Sequence, residues 1–152
     1  MTKSFNFPLQ KVLDVRTMVE DAKAVELQKA QAETERIRQQ LRATEAEKDA
    51  LVNGDSSDSQ EDGSVTLQDL NSRMAYVDQL SEEIEKQGEA VVKSEEDSEE
   101  QRIAFVQASK EKMVLEKLKE QHKGAFKKKA NQEQVKVESE VASRIVQNGI
   151  DQ

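Results

Sequence analysis

Apolar residues recur at helical spacing in two long stretches of the chain, with a polar stretch between them. Leu9, Val12, Val15, Val19 and Ala22 step at three or four residues. After a shift of phase, Leu27, Ala30, Thr34, Ile37, Leu41, Thr44, Lys48 and Leu51 step 3-4-3-4 without a gap. That is a heptad seam with polar faults. No Gly or Pro falls between Leu9 and Val52. Pro8 suits a first helical turn, where its missing N–H costs nothing, and Asn6 is placed to cap it. The spacing predicts a helix over about 8–52.

Residues 53–66, NGDSSDSQEDGSVT, carry no apolar side chain before Val65 and read as a loop over 53–65. Thr66 followed by Asp69 resembles a capping box, with Asp in place of Glu. A second helix is expected over about 66–146. Its seam is Leu67, Leu70, Met74, Val77, Ser81, Ile84, Gly88 and Val91, and the frame continues through Glu95, Ser98 and Arg102 to Phe105. Between Glu82 and Gln101 lie nine acidic residues and two lysines, so a locally splayed segment is expected there. A new frame appears with Leu115, Leu118, His122 and Ala125 or Phe126; Val137, Val141 and Ile145 carry it on, and Asn148-Gly149 should stop the helix.

The predicted fold is all-α: a single hairpin over residues 1–152, a long antiparallel two-helix coiled coil with a C-terminal helix overhang. The helices would be about 65 Å and about 120 Å long at 1.5 Å per residue. A tight connection would set Leu9 opposite about Ser109, leaving everything beyond without a first-helix partner. Long lone helices with an apolar stripe are not stable in water, so that stripe needs another protein, a second copy or a fold back.

Composition narrows this picture. Of 152 residues, 35% are hydrophobic, 36% charged and 3% aromatic, with no Trp or Cys. A compact globule needs more apolar volume, so the choice lies between disorder and long helices with a narrow seam; the sustained spacing favours helices. No apolar run reaches bilayer-spanning length, and the first residues lack the apolar stretch of a signal peptide. The absence of cysteine suits a cytosolic protein. The net charge of −8 opposes sequence-independent binding to nucleic acid.

One window departs from the acidic balance. From Lys110 to Lys129 there are eight lysines against three glutamates. This reads as a solvated face or, with its apolar residues, as a surface for an acidic partner. A basic amphipathic stretch also suits membrane or RNA contact. The acidic run 82–101 reads as solvated surface or as a docking strip for a basic partner. Tyr76, near the hairpin tip, reads as an exposed contact or a flank of the seam.

Enzyme chemistry finds little support. The chain has no phosphate-binding glycine motif, and His122 is its only histidine. A His/Cys metal site or an activated nucleophile is therefore poorly supported. A non-enzymatic protein without cofactor or metal is expected.

Two stretches carry a family likeness. FNFPLQKVLDVR (5–16) resembles the opening of FliJ-family proteins: two spaced aromatics, Leu-Gln, Val-Leu and Arg. EKMVLEKLKEQHKGAF (111–126) resembles the family's downstream basic helix. KVESEVAS (136–143) is similar to a third segment, with Ser139 where Asp is usual, so a role built on that Asp does not carry over.

The resemblance implies a component of the bacterial flagellar type III export apparatus; injectisome stalk proteins share the plan. It implies a central stalk that binds and stimulates the hexameric export ATPase, contacts the export-gate membrane protein and escorts export chaperones. It would be cytoplasmic, peripheral at the inner face of the cell membrane through its partners. The end carrying both termini would enter the ATPase. The implied ATPase-binding residues are Leu13, Arg16, Lys112, Leu115, Lys117, Leu118, Lys119, Lys123 and Phe126. The implied gate-binding residues, near the hairpin tip, are Leu70, Met74, Tyr76, Val77 and Leu80. The rival readings are a structural coiled-coil oligomer and a prefoldin-like holdase chaperone.

Overall fold

A computed structural model describes residues 3–53 and 66–150. The chain forms two helices, α1 (Gln10–Asn53) and α2 (Leu67–Ile150), that pack against each other as an all-α hairpin. The predicted loop over 53–65 lies, beyond Asn53, outside the described residues.

Local chemistry accounts for both helix starts. The Gln10 N–H donates to the Phe7 carbonyl at 3.1 Å, closing a turn over Pro8. The helix thus opens at Gln10, slightly later than Pro8 suggested. The α2 start carries the expected capping box. The Asp69 N–H donates to Thr66 Oγ1 at 3.2 Å, and the Thr66 N–H donates to Asp69 Oδ2 at 3.4 Å. The predicted stop at Asn148-Gly149 does not occur, and α2 runs on to Ile150. A glycine ends a helix by turning left-handed, and among the described residues no glycine has a positive φ.

The hairpin divides into two compact units, and both helices contribute to each. In the unit spanning Ala22–Val106, the α1 seam from Leu27 to Leu51 is buried or half-buried at every predicted position. The α2 seam is not as expected around the acidic run. Ser94 and Gln101 face inward, while Glu95 and Arg102 are exposed. The small or uncharged neighbours of each pair take the seam and leave the charges in water. Nor does the acidic run splay. Thr34 is buried, with its hydroxyl 2.6 Å from Ser94 Oγ and 3.2 Å from the Ser94 carbonyl. Arg38 pairs with Glu95 beside it.

The unit formed by Met1–Asp21 and Gln107–Gln152 overturns a second expectation. Leu9, Val12, Val15, Val19 and, in the neighbouring unit, Ala22 are exposed rather than in the seam. Instead Leu13, Thr17, Glu20 and Ala24 are buried or half-buried at 4-3-4 steps and lead into Leu27. Polar residues occupy these seam positions because they find partners. Glu20 binds Lys112 at 3.0 Å, and Arg16 at the seam's edge pairs with Glu111. Leu13 and Ala108 are buried beside them.

The register also differs. Arg16 meets Glu111 and Phe7 meets His122, so Leu9 lies opposite a point roughly ten residues beyond Ser109, about 15 Å of helix. Thr34 meets Ser94 with the same offset. A 3-4 seam buries the same face after sliding by whole turns, so the seam pattern alone does not choose the register. The Thr34–Ser94 pair and the aromatic contacts do. The overhang therefore begins after Phe126, not near Lys110.

Candidate functional site

The lysine window starts inside the hairpin and ends outside it. Phe7 is buried with its ring edge-on to His122, centroids 5.6 Å apart. Phe5 lies 5.7 Å from Phe126. These two aromatic contacts lay the residues before α1 across α2 at a geometry favoured by ring quadrupoles. Leu115, Leu118 and Lys119 are half-buried below them, and Phe126 is the last residue of α2 with partial cover. From Lys127 to Ile150 every position is exposed, including Val135, Val137, Val141, Ile145 and Val146.

The implied ATPase-binding residues fall into two groups. Leu13 is buried in the unit's own core, and Arg16 and Lys112 are held in ion pairs. Lys112 sits 3.0 Å from Glu20 and 3.6 Å from Glu116. The Glu20 carboxyl is held below its ordinary range, chiefly by the hydrogen bond from Lys112 and then by one from Ser109. The Lys112 ammonium is correspondingly held above its usual range by the Glu20 bond. Lys117 and Lys123 are exposed, and Lys119 is half-exposed. Only this second group presents charge outward.

The implied gate-binding residues lie in the other unit. Leu70 and Met74 are exposed, on the first turns of α2. Tyr76 is exposed along its ring, and its hydroxyl donates to Glu47 of α1, which raises its pKa above the phenol range. Val77 is half-buried, and Leu80 is one of the few buried core residues. A cleft of about 320 Å³ beside Thr34 is lined by Arg38, Glu95, Glu99 and Arg102. Both guanidiniums are paired there, so it offers a ligand no uncompensated charge.

Phe5, Phe7 and Glu20 were missed as site-shaping residues. The signal for the first two was present: two phenylalanines spaced by one residue, with Phe126 and His122 one helical turn apart in α2. Glu20 gave none, since a carboxylate on a charged helix reads as solvated.

Among the described residues no helix is long and apolar enough to cross a membrane, and no cluster of His, Cys, Asp and Glu is arranged to hold a metal ion. No curated protein and no solved structure matches the chain. A family model described as "Flagellar FliJ protein" matches residues 5–149, nearly the whole chain and all of the contacts just described. The chain belongs to the FliJ family, non-enzymatic components of the flagellar export apparatus.

Proposed function

We propose that this chain is the central stalk of the hexameric flagellar export ATPase, which it binds and stimulates. In the same reading it contacts the export gate through the first turns of α2 and escorts export chaperones. It works in the cytoplasm, peripheral to the inner face of the membrane through these partners. The observation that carries the reading is the end of α2. After Phe126 the helix continues to Ile150 with no cover on any face, yet it keeps Val137, Val141 and Ile145 at helical spacing. The lysines just before it, Lys117 and Lys123, are exposed, which suits an acidic lining.

Charges of this kind speed and orient association, while apolar anchors hold a complex once formed. This reading gives Lys112 no part in the contact, since its ammonium is already paired with Glu20. Replacing Lys117, Lys119 and Lys123 by Glu is therefore expected to slow association with the purified ATPase and to lower its stimulation, with Ile145→Asp speeding dissociation. Titrations at two salt concentrations read both effects, since exposed charges are screened over about 8–10 Å. A triple variant that binds and stimulates like the wild type at low salt overturns the assignment. For the gate, Tyr76→Ala should leave helicity unchanged and reduce motility at normal protein levels.

The competing reading pairs the exposed overhangs of two copies. Light scattering separates them: a concentration-independent monomer is expected of a stalk, and a dimer lost on Ile145→Asp of the alternative.

A further inference from the structure

The unit built from Met1–Asp21 and Gln107–Gln152 has a second exposed apolar surface, made by both helices rather than one. On α1, Val12, Arg16 and Val19 are spaced i, i+4, i+7 and form one row. On α2, Glu111, Val114 and Leu118 are spaced i, i+3, i+7 and form another. The Arg16–Glu111 ion pair joins the two rows, so they run side by side along one flank of the hairpin. Val12 is 43% exposed, Val19 37% and Val114 66%, and Leu118 is half-buried. The seam itself runs elsewhere, through Leu13, Thr17 and Glu20, so nothing in the hairpin's own packing requires valine at these places.

The charge around the rows has one sign. The helical neighbours of Val114 at three and four residues are Lys110, Glu111, Lys117 and Leu118. Glu111 is already neutralised by Arg16, and the other two charges among these neighbours, Lys110 and Lys117, are exposed. Val12 has no carboxylate among its neighbours at those spacings, only Pro8, Leu9, Val15 and Arg16. Two adjacent helix rows, each carrying apolar side chains and the α2 row bordered by lysines, match one ligand shape: a third helix with an apolar stripe and acidic flanks.

We propose that the Val12–Val19 and Val114–Leu118 rows dock an amphipathic helix with acidic flanks, supplied by a partner protein. The proposal does not rest on which partner the stalk reading assigns. The occupant packs astride the Arg16–Glu111 pair, its apolar stripe on the four residues and its carboxylates beside Lys110 and Lys117. Specificity comes from the flanks, because a helix with the same stripe and lysine flanks meets like charge.

The test uses the full chain and two synthetic three-heptad peptides with Leu at a and d, one with Glu and one with Lys at e and g. Fluorescence anisotropy at low salt is expected to show the acidic peptide binding at least tenfold more tightly than the basic one. Val114→Asp and Val19→Asp should each weaken it tenfold or more with the melting profile unchanged, since both side chains are exposed. Val92→Asp, at an exposed valine of the other unit, should leave it unchanged. Equal binding of the two peptides, no binding, or equal loss with Val92→Asp overturns the proposal. So does a wild-type dimer that Val19→Asp dissociates, which assigns the flank to a second copy.

Discussion

Two stretches of α2 carry similar apolar spacing and have opposite fates. Val77, Leu80, Ile84 and Val91 are buried or half-buried, whereas Val137, Val141 and Ile145 are exposed. Both stretches are helix. Apolar residues at three- and four-residue steps therefore announce a helix face that wants cover, and say nothing about whether the same chain provides it. In a hairpin the cover depends on register, and the register brings α1 and the residues before it only as far as Phe126.

The sharpest way to break this comparison is to cut apolar volume in each stretch. Leu80→Ala removes a buried side chain and is expected to destabilise the chain by about 2–3 kcal/mol in urea unfolding. Val141→Ala should stay within about 0.5 kcal/mol of the wild type. Equal losses would mean that the overhang is covered in solution.

The register claim has its own test. Thr34→Val is nearly isosteric but leaves Ser94 without its partner hydroxyl, at a cost of about 1 kcal/mol. Adding Ser94→Ala should recover most of that loss, because removing both partners leaves no buried polar group unsatisfied. Additive losses in that double-mutant cycle would show that the two hydroxyls do not meet.

Glycines extend the contrast. A Cβ at Gly88, in the covered stretch, or at Gly124, near the end of cover, would meet nothing within 4 Å. Either Gly→Ala change should therefore stabilise the helix by about 0.5–1 kcal/mol. A loss at Gly124 would reveal a close neighbour in solution.

The smallest effect concerns acid. The folded Glu20 carboxyl lies below its ordinary value of 4.5, so the unfolded chain takes up that proton first. The ion pair's contribution is full above that value and fades as pH falls through the lower folded one. The melting difference between wild type and Glu20→Gln should accordingly shrink between pH 6 and pH 3. A constant difference would mean that the Lys112 bond does not hold the charge.

Much of the fold was legible, and the failures share a cause. The Leu27–Leu51 seam stood out because its apolar residues sit in one unbroken frame, and the Thr66–Asp69 cap because its spacing has one structural meaning. Val12, Val15 and Val19 misled because hydrophobicity was read as burial, while Thr17 and Glu20 took the seam through bonds a sequence pattern does not display. Register was not legible, since sliding the helices by whole turns leaves the pattern unchanged. That error placed Lys112 on an outward face, although Lys117 and Lys123 do point outward.

Hydrogen exchange on the full chain, with and without the purified hexameric ATPase, tests the central claim most directly. Alone, amides of 127–150 should exchange fast, because helix without tertiary cover opens readily, while those of 77–105 exchange slowly. Adding the ATPase should slow exchange across 127–150 by tenfold or more and leave 77–105 unchanged. Unaltered exchange in 127–150 upon saturation with the ATPase would contradict the stalk assignment.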